Sequence, residues 1–238
     1  MGEERPRRQA DAMIRLHVVV EGQTEETFVN NVLASELGPV GVVADAHRVT
    51  TGRRKARTFR GGLVEYSHIR KDLVLWMRQD SHPESWFTTM IDLYALPDDF
   101  PSYDMCSQVR DPFERVECLE AGFGQDIDHR RFIPYIQVHE FEALLFAEPR
   151  KFEIAFPGET SKIDDLISIC REFSSPEHID DGCDTAPSKR ILQVFSDYKK
   201  TVAGPEISAQ IGMAALRREC QHFDGWVRRI EQVAASIP

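Results

Sequence analysis

The sequence has no apolar run approaching the ~20 residues that a membrane-spanning helix needs, and its N-terminus lacks the apolar centre of a secretory signal. Both absences lead to the expectation of a cytoplasmic protein without a membrane span. The cysteines Cys106, Cys118, Cys170, Cys183 and Cys220 contain no Cys-x-x-Cys pair, which removes the usual spacing of zinc and thiol-redox centres. Their odd number and wide spacing make reduced thiols the expectation. Positive charge is also scarce. With 29 Lys and Arg against 39 Asp and Glu, the net charge of -10 excludes a surface that grips nucleic acid all over, because such affinity is largely phosphate neutralisation. Internal repeats and low-complexity tracts are missing as well.

What is present suits one substantial core, or one domain with an appended subdomain: 238 residues, 42% of them hydrophobic. Residues 1–12 are polar and charged and carry no periodicity, so they are expected to be a disordered leader, with the first strand directly after Met13. The run Leu16-His17-Val18-Val19-Val20 is that strand. It ends in Glu21 and Gly22, where a strand buried on both faces first gains the freedom to expose a charge. The carboxyl end of a strand is also where open α/β sheets place their chemistry. Thr24 or Thr27 can cap the following helix, whose apolar positions Phe28, Val29, Val32 and Leu33 recur at helical spacing.

A second strand is expected within Val40–Val49 around Val40, Val42 and Val43, then a helix over Leu63–Met77 with Ile69, Leu73, Val74 and Met77 in one stripe. The third strand, Trp86–Ile91, again ends in a carboxylate, Asp92. Pro97–Asp111 reads as a long loop and Pro112 as a helix start. A fourth strand within Arg131–His139 must be bulged or at an edge because of Pro134. It leads to His139, Glu140 and Glu142, then to a short helix anchored by Phe141, Leu144, Leu145 and Phe146. Helices are expected over Asp164–Phe173, Ser188–Tyr198, Ile207–Leu216 and Phe223–Ala235.

Two further stretches bear on ligands. Arg53, Arg54, Lys55, Arg57 and Arg60 lie between glycines in an otherwise acidic chain. They form either a solvated loop or a phosphate clamp in which Phe59 stacks on a base. Lys189 and Arg190 open a helix whose N-terminal dipole can hold a phosphate, or they are simply exposed.

Several of these stretches resemble known families. A strand ending in Val20-Glu21-Gly22, with Glu25 shortly after, resembles the opening of a Toprim domain. That Mg²⁺-dependent module belongs to topoisomerases, primases and nucleases related to the overcoming-lysogenization-defect family. Glu21 with Thr24-Glu25, the run Met90–Pro97 and especially His139–Phe146 are similar to a bacterial family termed domain of unknown function 4276. Pro187–Ile191 and Cys220–Trp226 fit that family too, so the resemblance covers nearly everything after Met13.

The expected fold is α/β: a three-layer Toprim- or Rossmann-like domain over residues 13–148 with a mainly parallel sheet of about four strands, then a helical C-terminal region over 149–238 packed on it. If the strands ending in Glu21 and Asp92 are neighbours, their like charges need a raised pKa or a cation between them. Oxygen-only ligands favour Mg²⁺ or Mn²⁺. The alternative for Asp92 is a loop cap or an arginine partner. Toprim-like folds usually carry Asp-x-Asp here, whereas this chain has Asp92-Leu93-Tyr94. Asp98, Asp99 and Asp104 are the candidate replacements. Glu140 or Glu142 is the third ligand, since residues two apart cannot share a helical face, and His139 is a candidate proton donor or phosphate contact.

Together these point to a Mg²⁺-dependent nuclease or other phosphodiester-acting enzyme, with Glu21, Asp92 and Glu140 on the metal and Glu25 assisting directly or as general base. The basic residues would position a nucleic acid. The resemblance implies a role in bacterial phage defence or DNA maintenance, beside a partner ATPase. The competing expectation is a catalytically degenerate module that binds nucleotide, nucleic acid or a partner protein.

Overall fold

Residues Ile14–Val20 form β1, the middle of a parallel sheet. In the computed structural model, which describes residues 13–49, 65–179, 182 and 184–236, β1 lies between β2 (Val42–Arg48) and β3 (Ser85–Asp92). The register sets Leu16 beside Ala44 on one side and Trp86 on the other. Two short strands, β4 (Phe132–Ile133) and β5 (Ile136–Gln137), continue the sheet along the far edge of β3. Pro134, which cannot donate to a ladder, falls between them. Thr88 and Thr89 on β3 fill that interruption, their hydroxyls donating to the carbonyls of Ile133 (2.6 Å) and Tyr135 (2.7 Å). The leader, the basic segment with Arg53, Arg54, Lys55 and Arg57, and Cys183 lie outside the described residues.

Alternation along β1 divides the molecule into layers. Leu16, Val18 and Val20 face a core shared with α1 (Gln23–Phe28), a π-helical turn over Val29–Leu33, α2 (Ala34–Leu37) and the C-terminal helices. Those helices are α6 (Thr160–Cys170), α7 (Pro187–Val194), α8 (Lys200–Ile211), α9 (Met213–Glu219) and α10 (Gln221–Ala235). Val19 faces the other way, into a core with α3 (Tyr66–Gln79) and α5 (Pro112–Ile127). The architecture is therefore a mainly parallel sheet between two helical layers, and residues on either side of position 148 share the first core.

Some local expectations are corrected. Neither Thr24 nor Thr27 caps α1; Gly22 holds that place, Thr24 is buried, and the Thr27 hydroxyl donates to the Gln23 carbonyl. Val40 and Val43 are half-exposed rather than core. Val40 lies in a turn before β2, and β2 is the edge of the sheet, where the face carrying Val43 has less to pack against. The helix expected over Ile207–Leu216 is two helices, divided at Gly212, whose φ of 76° is the left-handed conformation that glycine tolerates. Cys106 and Cys118 are not reduced thiols. The short helix α4 (Tyr103–Cys106) folds back on α5 and the two sulfurs form a disulfide, while Cys170 and Cys220 stay free.

A buried histidine pins α10 to α5. His222 Nε2 lies 2.9 Å from Glu120 Oε1, and its ring stacks on Tyr135. Burial disfavours the imidazolium, but the hydrogen bond and charge of Glu120 and the charge of Glu177 outweigh burial and the opposing Arg229, so the pKa is raised. A folded pKa above the unfolded value of about 6.5 gives stability that is complete below that value and lost as pH rises through the folded pKa. His222→Gln is therefore expected to lose more stability relative to wild type near pH 5.5 than near pH 9. Urea denaturation at both values checks this, and equal losses would contradict it.

Candidate functional site

Pairing of β1 with β3 brings two strand-end carboxylates together. Val20 lies opposite Met90, so Glu21 and Asp92 leave adjacent strands at nearly the same level, and the Asp92 N–H donates to Glu21 Oε2 at 3.4 Å. Asp92 is also a tie-point, because its Oδ1 accepts the Phe141 N–H at 2.9 Å where a 3-10 helix, Phe141–Ala147, begins. The chain reaches that helix through His139, buried and at a left-handed φ of 59°.

Glu25 comes from the first turn of α1. Its Oε2 accepts the Gly22 N–H at 3.0 Å. A methyl at position 22 would stand 3.2 Å from that same oxygen, so the glycine in Val-Glu-Gly lets the carboxylate close onto the backbone. Glu142, fully buried in the 3-10 helix, accepts the Tyr198 hydroxyl on Oε1 at 3.2 Å.

A residue that sequence reasoning passed over sits at the centre. Lys200, the first residue of α8, places Nζ 3.1 Å from Glu142 Oε2, 3.4 Å from Asp92 Oδ2 and 3.8 Å from Glu25 Oε1. Its depth is set by packing. At Gly204, one turn further on, an added methyl would meet the Tyr198 hydroxyl at 3.1 Å, Thr24 Cγ2 at 3.3 Å and Phe141 Cε1 at 3.5 Å. Glycine lets α8 lie that close to α1 and the 3-10 helix without displacing these side chains.

The model of the family "Domain of unknown function (DUF4276)" matches residues 20–231, which include every one of these elements except most of β1. The chain belongs to the DUF4276 family. No curated protein sequence matches it. Among solved structures, it is similar to the C-terminal region of the Burkholderia pseudomallei OLD protein. That likeness has 11% identity and a TM-score of 0.42, over 91% of this chain and 98% of the other. The C-terminal region of the Xanthomonas campestris pv. campestris OLD protein is similar at 13% identity and a TM-score of 0.38, over the same shares.

Electrostatically, the carboxylate cluster of this DUF4276 chain is short of positive charge. Burial, then the charges of Glu25 and Glu140, push the Glu21 carboxyl up to about 7 against the opposing pull of Lys200. Glu142 is likewise pushed up to about 7, by burial first and then by Glu140 and Glu25, with Lys200 opposing. Burial also raises Asp92 well above the carboxylate range, assisted by Glu21, Glu25 and Glu142. Lys200 stays charged. Burial works against its ammonium, but Asp92, Glu142, Glu25 and Glu140 overcome it. Glu25 Oε1 and Glu142 Oε2 are buried without an aligned hydrogen bond, compensated only by the nearby ammonium. Several carboxylates sharing one ammonium, with oxygen the sole donor type among them, fit a hard cation.

The other candidates are placed differently. Glu140 turns to α7, where its oxygens accept the Ser188 backbone N–H and hydroxyl, so this carboxylate occupies the helix N-terminus considered for a phosphate. Arg190 Nε donates to the Thr185 carbonyl and the guanidinium covers the Phe173 ring, while Lys189 is exposed. Tyr94 is half-exposed, in a turn after Asp92. Asp99 accepts the Tyr66 N–H, and Asp98 and Asp104 line a surface hollow with Met105. Lys200 escaped notice because it is 108 residues from Asp92. The one available signal was the need of several buried carboxylates for a counter-charge.

Proposed function

We propose that this chain is a Mg²⁺- or Mn²⁺-dependent enzyme acting on phosphodiester bonds, of the nuclease class, with its centre at the carboxylate cluster. The observation that carries the reading is the convergence of the part-buried Glu21 after β1 with buried carboxylates from β3, α1 and the 3-10 helix, two of which have oxygens lacking hydrogen bonds. When bound, the divalent ion would supply Lewis-acid polarisation of a phosphate and a more acidic water. Glu21, Asp92 and Glu142 would hold it, and Glu140 would join them only by giving up its hydrogen bonds from Ser188. Glu25, its Oε1 unbonded, would act as a further ligand or as the proton acceptor. Lys200 would offer its ammonium to a phosphate oxygen. Arg53, Arg54, Lys55 and Arg57, with Lys189 and Arg190, would hold a nucleic-acid backbone. The biological setting would be phage defence or DNA maintenance with an ATPase on another chain.

A second reading is a module that binds nucleotide, nucleic acid or a partner without cleaving. It is favoured by Tyr94 at the second aspartate position and by a lysine already at the centre of the cluster. Calorimetric titration with Mg²⁺ and Mn²⁺ distinguishes the two readings, run on wild type, Glu21→Gln, Asp92→Asn and Glu142→Gln, with cleavage of single- and double-stranded DNA and RNA on the same samples. Under the enzyme reading wild type binds and cleaves, and each substitution weakens metal binding about tenfold or more, equivalent to at least about 1.4 kcal/mol. Metal binding without cleavage of any substrate supports the second reading, and a folded wild type that binds neither ion overturns the shared-ion site.

A further inference from the structure

A different cluster lies upstream on β1, facing α3. The register pairs His17 of β1 directly with Asp45 of β2, and His47 follows two residues later on the same face. Three ligand atoms therefore converge. His17 Nδ1 lies 3.3 Å from His47 Nε2 and 3.0 Å from Asp45 Oδ1, and His47 Nε2 lies 2.5 Å from Asp45 Oδ2. Ligands about 2.0–2.1 Å from a tetrahedral zinc ion stand about 3.3 Å apart. The imidazole nitrogens already hold that separation.

The surroundings prepare these ligands. Asp80 Oδ2 lies 3.0 Å from His17 Nε2, on the opposite side of the ring from the Nδ1 that faces Asp45; with Nε2–H donating to Asp80, Nδ1 would be free to ligate an ion in place of its contact with Asp45. This carboxylate–histidine arrangement is the one that orients metal-bound imidazoles. Asp80 is itself held by Arg15 at 2.9 Å. The His17 ring stacks on Trp76 and Phe87, and His47 lies on Trp76 with ring centroids 3.5 Å apart, so both rotamers are fixed. His17 is only 8% exposed, but the Asp45 side chain is 45% exposed and leaves an entry from solvent.

We propose that His17, Asp45 and His47 form a second metal site, for a zinc-class divalent ion, which fastens the edge strand β2 to β1 and to α3. Two imidazoles and one carboxylate suit zinc, cobalt or nickel, whereas magnesium prefers oxygen alone. Three protein ligands leave a fourth position for water. The site is separate from the carboxylate cluster by about four residues of strand, roughly 13 Å, and does not depend on the proposed nuclease activity.

The test is Co²⁺ titration of chelator-treated, dialysed full-length protein, followed by visible absorption and by quenching of Trp76 fluorescence. Wild type is expected to bind one equivalent with the spectrum of a tetrahedral nitrogen and oxygen site, displaced by equimolar Zn²⁺ and not by excess Mg²⁺. Binding should weaken about 100-fold or more in Asp45→Asn and in His47→Gln and stay unchanged in Asp92→Asn. Circular dichroism and the urea midpoint of each metal-free variant, compared with metal-free wild type, separate a lost ligand from a lost fold. The proposal is overturned if wild type shows no such spectrum, if the spectrum survives in Asp45→Asn and His47→Gln, or if Asp92→Asn removes it equally.

Discussion

Lys200→Met is expected to cost about 3 kcal/mol of stability at pH 8 without divalent metal, because it removes the ammonium from among Glu25, Asp92 and Glu142. Removing one partner of a buried charge cluster typically costs about 3–5 kcal/mol. The lower end applies since the Lys200 side chain is 39% exposed and partly screened. The loss depends on pH with a definite sign. Glu21 and Glu142 already titrate near 7, above their unfolded values, so their burial is tolerated with a proton in place and grows costly as pH rises. Without the lysine this trend steepens, and the loss at pH 5 should be well below the loss at pH 8. Saturating Mg²⁺ should recover more stability in the variant than it adds to wild type, because the ion replaces a missing cation. Urea denaturation at both pH values, with and without Mg²⁺, checks each part. A loss that is the same at pH 5 and pH 8 would mean that Lys200 contributes packing rather than charge.

Trp226→Ala is expected to cost about 4 kcal/mol. The indole is fully buried on α10 and stacks on Tyr135 at 4.2 Å between centroids, tilted only 9°. Phe223 meets its edge, and Nε1–H donates to Thr88 Oγ1 at 2.9 Å. The same threonine donates to the Ile133 carbonyl across the break at Pro134. Deleting the ring thus opens a cavity and leaves a buried hydroxyl under-bonded in the middle of the sheet. Trp226→Phe, which keeps most of the volume and loses the donor, should cost about 2 kcal/mol. Guanidinium unfolding of the pair resolves the two contributions. Equal losses would show that the hydrogen bond carries the effect and the ring does not.

Sequence revealed the middle of this fold more faithfully than its margins. A parallel strand with both faces covered is mostly apolar, which made β1 and β3 visible despite His17, Thr88 and Thr89, and each could admit a carboxylate only where it stopped, which made Glu21 and Asp92 visible. Pro134 announced the interruption between β4 and β5, since proline removes a ladder donor. Edge strand β2 was less legible because one of its faces, with Val43, Asp45 and His47, is only partly covered and mixes apolar with polar side chains. The same uncertainty hid the alternation of Asp45 and His47 opposite His17. Lys200 and the Cys106–Cys118 disulfide were invisible for a shared reason. Each depends on a fold-back, of α8 onto α1 and the 3-10 helix or of α4 onto α5, that local spacing does not encode. Glu140 and Glu142 could be named from sequence, but their division of labour, one toward Ser188 and one toward Lys200, follows from where α7 and α8 arrive.

Gly204 and Lys200 stand four residues apart on α8, on one line down the helix face. The close seating of α8 at Gly204 therefore works as a depth gauge for the ammonium. A bulkier residue there would lift the helix away from Thr24 and Phe141, and with it the charge that balances three buried carboxylates. A purely steric change, far from any ionisable atom in chemical character, would then be felt first as a shift in acidity.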